Sequence, residues 1–279
     1  MSVLESSTIG KHGDPLLNED GLFVGQRYLA VVDGVTSKAE YDLWHPSPGV
    51  VAKDLLLAVL RDLDSGKTSA SANGLGMRCV QQKLDGTLRT AYATHPERSE
   101  RFFVEHPNER LQANAVVYGV REREIWLFGD CSAIVSGRQI PTMKKVDVLL
   151  GEVRSFVAMT CENENTVSDT SDPGRQAILP LLRAQSYYAN RPGEYGYFVF
   201  DGFTKPDWPV TSVPVDQGDE VVLASDGYPY LRHTLAESEE ALATLHREDP
   251  QLIHRFRSTK GFLPGSDAFD DRTYLRFIA

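Results

Sequence analysis

The sequence has few cysteines, no long hydrophobic segment and no excess of basic residues. Its three cysteines among 279 residues are widely spaced, which predicts neither a disulfide framework nor a zinc site. No apolar run approaches the ~18 residues of a membrane span, and the first ten residues do not resemble a signal peptide. The formal net charge is -10, and a nucleic-acid partner needs a basic face. We therefore expect a cytoplasmic protein that binds neither nucleic acid nor membranes.

The composition is that of a folded globular protein. Hydrophobic residues make up 41% of the chain and charged residues 24%, which is enough apolar material for a proper core. No repeat, low-complexity tract or Gly/Ser linker divides the sequence. We therefore expect a single domain over residues 1–279.

Hydrophobic periodicity predicts strands interrupted by two groups of helices. The order lacks the strict alternation of a parallel sheet, and the three strands between 113 and 136 read as an antiparallel meander. The sequence thus predicts an α+β fold of two mainly antiparallel sheets with helices packed outside. The predicted helices span about 46–64, 72–92, 176–188, 236–245 and 250–257; the predicted strands are 2–9, 21–24, 28–32, 113–121, 124–129, 132–136, 197–200, 210–215, 220–224 and 274–278.

Five short acidic motifs are the most informative feature that is present. The last four each lie next to an apolar, β-prone run, so their carboxylates should meet at one edge of the core. Carboxylates crowded together repel one another unless a cation lies between them. A divalent-metal site is the simplest explanation. The motifs are Asn18-Glu19-Asp20, Val32-Asp33-Gly34, Gly129-Asp130, Ser225-Asp226-Gly227 and Asp270-Asp271.

Each motif taken alone also has a simpler reading. Asp-Gly is a common turn dipeptide because glycine tolerates positive φ, and paired acids are often solvated loop residues. Asp201-Gly202 also follows an apolar run, and we interpret it as a turn. Asp85-Gly86 lies in a predicted helix, and we interpret it as a helix interruption. Only the number and order of the motifs favour a common site.

That order resembles the metal-dependent protein phosphatases of type 2C. The family has an acidic motif, then Val-x-Asp-Gly, Gly-Asp, Ser-Asp-Gly and a final acidic pair that opens the last strand. The resemblance covers essentially the whole chain and implies a four-layer α-β-β-α sandwich. It also places the family's variable flap at about residues 151–195.

The resemblance implies a site for two ions of Mg²⁺ or Mn²⁺, with a third, weaker site. Asp33 would bridge the two ions, and Asp33 and Asp226 would be the main catalytic residues. Oxygen ligands of this kind suit Mg²⁺ and Mn²⁺ rather than zinc or copper. A water between the ions would attack phosphorus directly. The implied metal ligands are Glu19, Asp33, the carbonyl of Gly34, Asp130, Asp226 and Asp270.

The phosphate-binding part of the family pattern is altered. Pro15 stands where the family usually has an arginine that binds the substrate phosphate. We expect Lys11 or His12 to take over this role, and Lys38 is a further nearby cation; all three could equally be solvated. A cysteine phosphatase is disfavoured because no cysteine here is followed by arginine six positions later.

The sequence therefore predicts a phosphatase for phosphoserine and phosphothreonine on proteins. Two alternatives stay open at this point. The chain could be a catalytically weak or inactive homologue that binds phosphoproteins or another partner, or a phosphatase for small phosphorylated metabolites. The sequence predicts neither the substrate nor the oligomeric state.

Overall fold

Two five-stranded antiparallel sheets form the centre of the described structure. The computed structural model describes residues 1–36, 38–66, 76–95, 97–163, 172–263 and 265–279, with only the backbone for 162–163. Sheet I has the strand order β1-β10-β9-β6-β7, and sheet II has the order β2-β3-β4-β5-β8. The strands are Ser2–Ile9 (β1), Asp20–Val24 (β2), Tyr28–Gly34 (β3), Ala113–Gly119 (β4), Glu124–Phe128 (β5), Ser132–Val135 (β6), Arg138–Ile140 (β7), Thr211–Pro214 (β8), Glu220–Ala224 (β9) and Arg272–Ile278 (β10).

The helices cover the outer faces of the sheets. The first two pack on sheet II, and the sixth, with the segment before it, packs on sheet I. None of the helices among the described residues is both long and apolar enough to cross a lipid bilayer. The helices are Pro48–Ser65 (α1), Met77–Ala91 (α2), Glu100–Glu105 (α3), Lys145–Asn163 (α4), Pro173–Ala184 (α5) and Leu235–Glu248 (α6).

Successive side chains of β3 point to opposite faces of sheet II, and they enter two different cores. Leu29 and Val31 join the core between the sheets, whereas Tyr28, Ala30 and Val32 join the core beneath α1 and α2. Both faces of this strand are buried, which is why its sequence is apolar throughout. The predicted α+β sandwich is confirmed.

Helix α1 has clear sequence signals at both ends. The Ser47 hydroxyl accepts a hydrogen bond from the backbone N–H of Val50 at 3.2 Å, and Pro48 occupies the first turn. The helix ends at Gly66, whose φ of 68° is in the left-handed region that favours glycine.

The predicted three-stranded meander is wrong. Strands β4 and β5 pair in sheet II, but β6 pairs with β7 and β9 in sheet I. The chain crosses from one sheet to the other at Gly129, where φ is 102° and Asn114 packs where a side chain would lie. This crossing carries Asp130 to the junction of the two sheets.

Two other local predictions are also wrong. Residues 197–200 form only isolated bridges, at Tyr197 and Phe200. Residues 250–257 form bends rather than a helix, because the carboxylate of Asp249 accepts hydrogen bonds from four successive backbone N–H groups, those of residues 253–256.

The segment predicted as a variable flap is mainly helical in its described part. It contains most of α4, the whole of α5 and a short 3₁₀ turn at Gln185–Tyr188. Helix α4 was not predicted. Residues 164–171 of this segment, and residues 72–75 of the second predicted helix, lie outside the described residues.

Candidate metal and phosphate site

Strand pairing brings the acidic motifs to one edge of the two sheets. Asp20 on β2 lies opposite Asp33 on β3. In sheet I, Asp226 follows β9 and Asp270 precedes β10, and these strands pair antiparallel, so both residues lie at the same end. The Ser225 hydroxyl of sheet I donates a hydrogen bond of 2.5 Å to Asp20 of sheet II. The motifs therefore meet where the sheets meet.

Three of these aspartates raise one another's pKa. Burial raises the pKa of Asp20, Asp33 and Asp226 well above the usual range, and neighbouring carboxylates of the cluster raise each one further. Both effects disfavour the ionised form. A cation among these side chains would remove the repulsion and stabilise the cluster.

Lys11 lies in the same cluster. Its ammonium group contacts the carboxylates of Glu19 at 2.9 Å, Asp270 at 3.2 Å and Asp271 at 2.9 Å. The hydroxyl oxygen of Thr36 is a fourth acceptor, at 2.9 Å, so four oxygens share the three N–H donors of the ammonium group. Although burial opposes the charged form, the three carboxylates raise the pKa of Lys11 above its usual range. Lys11 is therefore a permanently charged, built-in cation.

Two further lysines pair with members of the cluster. Lys144 binds Asp130 at 2.6 Å, and Lys260 binds Asp270. Burial works against ionisation of Asp270, but Lys260 and Lys11 outweigh it and hold its pKa at about 2. Asp270 is thus a carboxylate engaged by two ammonium groups, unlike Asp33 and Asp226.

A cleft of about 630 Å³ opens over the cluster. The cleft is lined by Lys144, by residues of α4 and α5, and by residues 256–260, which contact α4 through the ion pair of Arg257 with Glu152. Lys38 also lines this cleft, and its ammonium group donates to the carbonyl of Thr36 at 2.7 Å. Burial and the nearby cations Lys260 and Arg175 lower the pKa of Lys38 to about 8.

The structure brings together most of the predicted ligands. Asp33, Asp130, Asp226 and Asp270 all line the cleft. Glu19 is connected to this group through its ion pair with Lys11. The side chain of His12 is exposed.

Sequence reasoning missed several participants. Asp20 is not among the predicted ligands, but it lies opposite Asp33 in the antiparallel pair of β2 and β3. Directly opposed residues have their side chains on the same face of a sheet, so Asp20 belongs to the same cluster. Lys144 and Lys260 gave no sequence signal, because an isolated lysine in a loop is usually solvated.

Comparison with known proteins identifies the fold. No protein-family model and no curated protein matches the chain. The solved structure of the serine/threonine phosphatase PstP from Mycobacterium tuberculosis matches with a TM-score of 0.52 at 16% identity, covering 99% of this chain and 98% of that one. The chain has the fold of the type 2C serine/threonine phosphatases. The resemblance predicted from the acidic motifs is confirmed.

Two other solved structures have similar coverage. The catalytic domain of PstP in complex with two manganese ions matches with a TM-score of 0.49 at 16% identity, over 99% of this chain and 98% of that one. Stp1 from Staphylococcus aureus matches with a TM-score of 0.48 at 15% identity, over 99% and 94% of the two chains.

The side chains at this edge of the type 2C fold suit a hard divalent cation. Carboxylate oxygens dominate the cluster, and such ligands favour Mg²⁺ or Mn²⁺. Two buried oxygens, Oδ1 of Asp130 and Oδ1 of Asn114, have no hydrogen-bond partner in the described structure. Unpaired buried oxygens are costly unless an ion or water satisfies them. Among the described residues no three acidic, histidine or cysteine side chains already converge in ion-binding geometry.

The two look-alike Asp-Gly pairs form a separate, structural network. Asp85 accepts hydrogen bonds from the backbone N–H groups of Asp201, Gly202 and Thr204. Asp201 is fully buried and pairs with Arg110 at 2.8 Å. Neither aspartate lines the cleft over the acidic cluster. This network joins α2 to the loop after Phe200.

Proposed function

We propose that this chain is a metal-dependent phosphatase that hydrolyses phosphoserine and phosphothreonine on proteins. The observation that carries the proposal is the meeting of aspartates from distant parts of the sequence in one cleft of a type 2C fold. The solved structure of PstP, whose fold it shares, is that of a serine/threonine phosphatase, which supports a phosphoprotein substrate.

The metal-binding residues of the proposal are Asp33, Asp130 and Asp226, with Asp20 beside them. Their oxygens match the preference of Mg²⁺ and Mn²⁺. A bound divalent ion would acidify the attacking water and neutralise the phosphoryl oxygens. A cation would favour ionisation of Asp33 and Asp226, because burial and neighbouring carboxylates raise the pKa of both side chains.

Lys38 is the residue that we propose for binding the substrate phosphate. It lines the cleft and has no carboxylate partner within salt-bridge distance in the described structure. Lys11 was the first expectation from sequence, but its ammonium group is already surrounded by three carboxylates. His12 is exposed. A cation without a carboxylate partner attracts a phosphate dianion more strongly than one already paired.

One observation favours the second candidate, a catalytically weak homologue that binds phosphoproteins. Asp270 and Asp130 are already paired with lysines. A divalent ion that used Asp270, or Oδ2 of Asp130, would have to compete with an ammonium group. If the lysines keep these carboxylates and exclude the divalent ion, the chain would bind phosphopeptides tightly but turn them over slowly.

The test is hydrolysis of three substrate classes by the purified chain with Mn²⁺ or Mg²⁺. A phosphoserine and phosphothreonine peptide panel, an aryl phosphate and a set of small phosphorylated metabolites are compared by phosphate release. Metal-dependent turnover that favours the peptides is the expected result. Preference for the metabolites would replace the proposed substrate class. Peptide binding without any turnover would instead establish the binding module.

A further inference from the structure

Lys11 is held in the acidic cluster by its backbone as well as by its side chain. Its backbone N–H donates to Oδ1 of Asp271 at 2.8 Å, and its ammonium group contacts Oδ2 of the same carboxylate at 2.9 Å. The side chain is only 9% exposed. The fold therefore fixes the position of this cation, unlike that of a lysine on the surface.

The ammonium group has the surroundings of a hard metal ion. Four oxygens, from Glu19, Asp270, Asp271 and Thr36, lie 2.9 to 3.2 Å from its nitrogen. An all-oxygen shell dominated by carboxylates is what Mg²⁺ or Mn²⁺ would require. Lys11 places a positive charge where such an ion would lie, but it cannot coordinate a water molecule as a metal ion does.

The carboxylate oxygens at this corner are already engaged. Both oxygens of Asp270 contact ammonium groups, one that of Lys11 and the other that of Lys260. Glu19 accepts hydrogen bonds from the hydroxyls of Thr36 at 2.6 Å and Ser47 at 2.8 Å, in addition to its contact with Lys11. An ion that entered here would have to break several charge-assisted hydrogen bonds.

The opposite corner of the cluster is different. Although Oδ2 of Asp130 pairs with Lys144, Oδ1 of Asp130 and Oδ1 of Asn114 are buried without a partner among the described residues. Within the described part of the chain, the carboxylate of Asp33 accepts only a long hydrogen bond of 3.4 Å, from Asn114. The open oxygens therefore lie on the side of Asp33, Asp130 and Asp226.

We infer that Lys11 takes the place of one divalent ion, so that this chain binds a single ion at the corner formed by Asp33, Asp130 and Asp226. The inference rests on the proposed function only in requiring that the cluster binds a divalent cation. It departs from the two or three ions that the resemblance implies. The charge at the Lys11 corner is then independent of metal concentration.

The test is the number of Mn²⁺ ions bound per chain, measured without substrate. The resonance signal of free Mn²⁺ is followed by electron paramagnetic resonance as the ion is titrated into the full chain. The wild type is expected to bind one ion. Lys11→Met removes the charge but keeps the length of the side chain, and it is expected to bind two.

Two control variants keep the local charge unchanged. Lys11→Arg retains a cation and should still bind one ion. Lys145→Met removes an exposed lysine that pairs with Glu194 outside the cluster, and it should also bind one ion. Circular dichroism checks that each variant is folded, and Lys11→Gln replaces Lys11→Met if the latter is not.

The outcomes separate this inference from the proposed function. Two or more ions in the wild type, or one ion in a folded Lys11→Met or Lys11→Gln, would overturn the role of Lys11. Two ions together with phosphatase turnover would overturn this inference and support the proposed function. One ion in the wild type without any turnover would support this inference and contradict the proposed function. Failure of the wild type to bind Mn²⁺ would overturn both.

Discussion

Asp201→Asn tests whether the look-alike Asp-Gly motif is structural. The Asp201 carboxylate is fully buried, and one oxygen accepts from Arg110 at 2.8 Å. The other oxygen accepts from the side chain of Asn190 at 3.0 Å and from the backbone N–H of Phe203 at 2.8 Å. Asparagine keeps the shape but places an amide N–H₂ or a neutral oxygen against the guanidinium group.

The magnitude follows from two opposing effects. Breaking a buried ion pair by removing one partner costs about 3 to 5 kcal/mol. The loss of the Asp201 charge also relieves Asp85, whose pKa is raised to about 6 by burial and by repulsion from Asp201. We therefore expect a cost at the lower end, about 3 kcal/mol, or a fall in Tm of roughly 6 °C for a chain of this size.

The assay combines urea denaturation with metal-dependent turnover of an aryl phosphate below the unfolding transition. Stability should fall while kcat stays within about twofold of the wild type, because Asp201 does not line the cleft. Asp207→Asn changes an exposed aspartate of the same loop and should alter neither quantity. A kcat that falls by orders of magnitude in folded Asp201→Asn would refute the assignment of Asp201 to a structural network.

Two further predictions concern cations. Saturating Mn²⁺ should raise Tm, since a ligand at a hundred times its Kd stabilises by about 2.7 kcal/mol, and an unchanged Tm in millimolar Mn²⁺ would contradict the metal site. Lys38→Met should raise KM for a phosphopeptide several-fold with a smaller change in kcat, whereas Lys145→Met should not. Because the pKa of Lys38 is lowered to about 8, the wild-type KM should rise as the pH increases through 8 and Lys38 loses its charge. The rise in KM should be absent in Lys38→Met. If KM still rises with pH in that variant, Lys38 does not bind the phosphate.

Much of the fold was predictable because the strand sequences are locally unambiguous. The apolar, β-prone run of β3 and the starting prolines and helical spacing of apolar residues in α1 are local signals, and they predicted these elements to within two residues. The failures came from long-range effects. Whether β6 pairs with β5 or with β9 depends on the crossing at Gly129, which a local pattern does not reveal.

Asp33 and Asp226 each follow an apolar, β-prone run, which predicted that they would meet at one edge of the core, and both line the same cleft. Lys11 and Lys38 were named from the sequence as nearby cations, but the ion pairs of Lys11, Lys144 and Lys260 were not predictable from it. The contact of Lys11 with Asp271 joins residues 260 positions apart, and its loop carries no periodic signal. Asp249 shows a similar limit, because its side chain replaces a predicted helix with a hydrogen-bonded loop.

The most direct test of the central claim is the metal-dependent kcat of Asp33→Asn and Asp226→Asn on a phosphopeptide, beside that of the wild type. Each substitution preserves the shape of the side chain but removes an anionic oxygen from the cluster. Both variants should remain folded by circular dichroism and lose almost all of the metal-dependent activity of the wild type. Wild-type turnover in either folded variant would contradict the assignment of this cleft as a metal-dependent phosphatase centre.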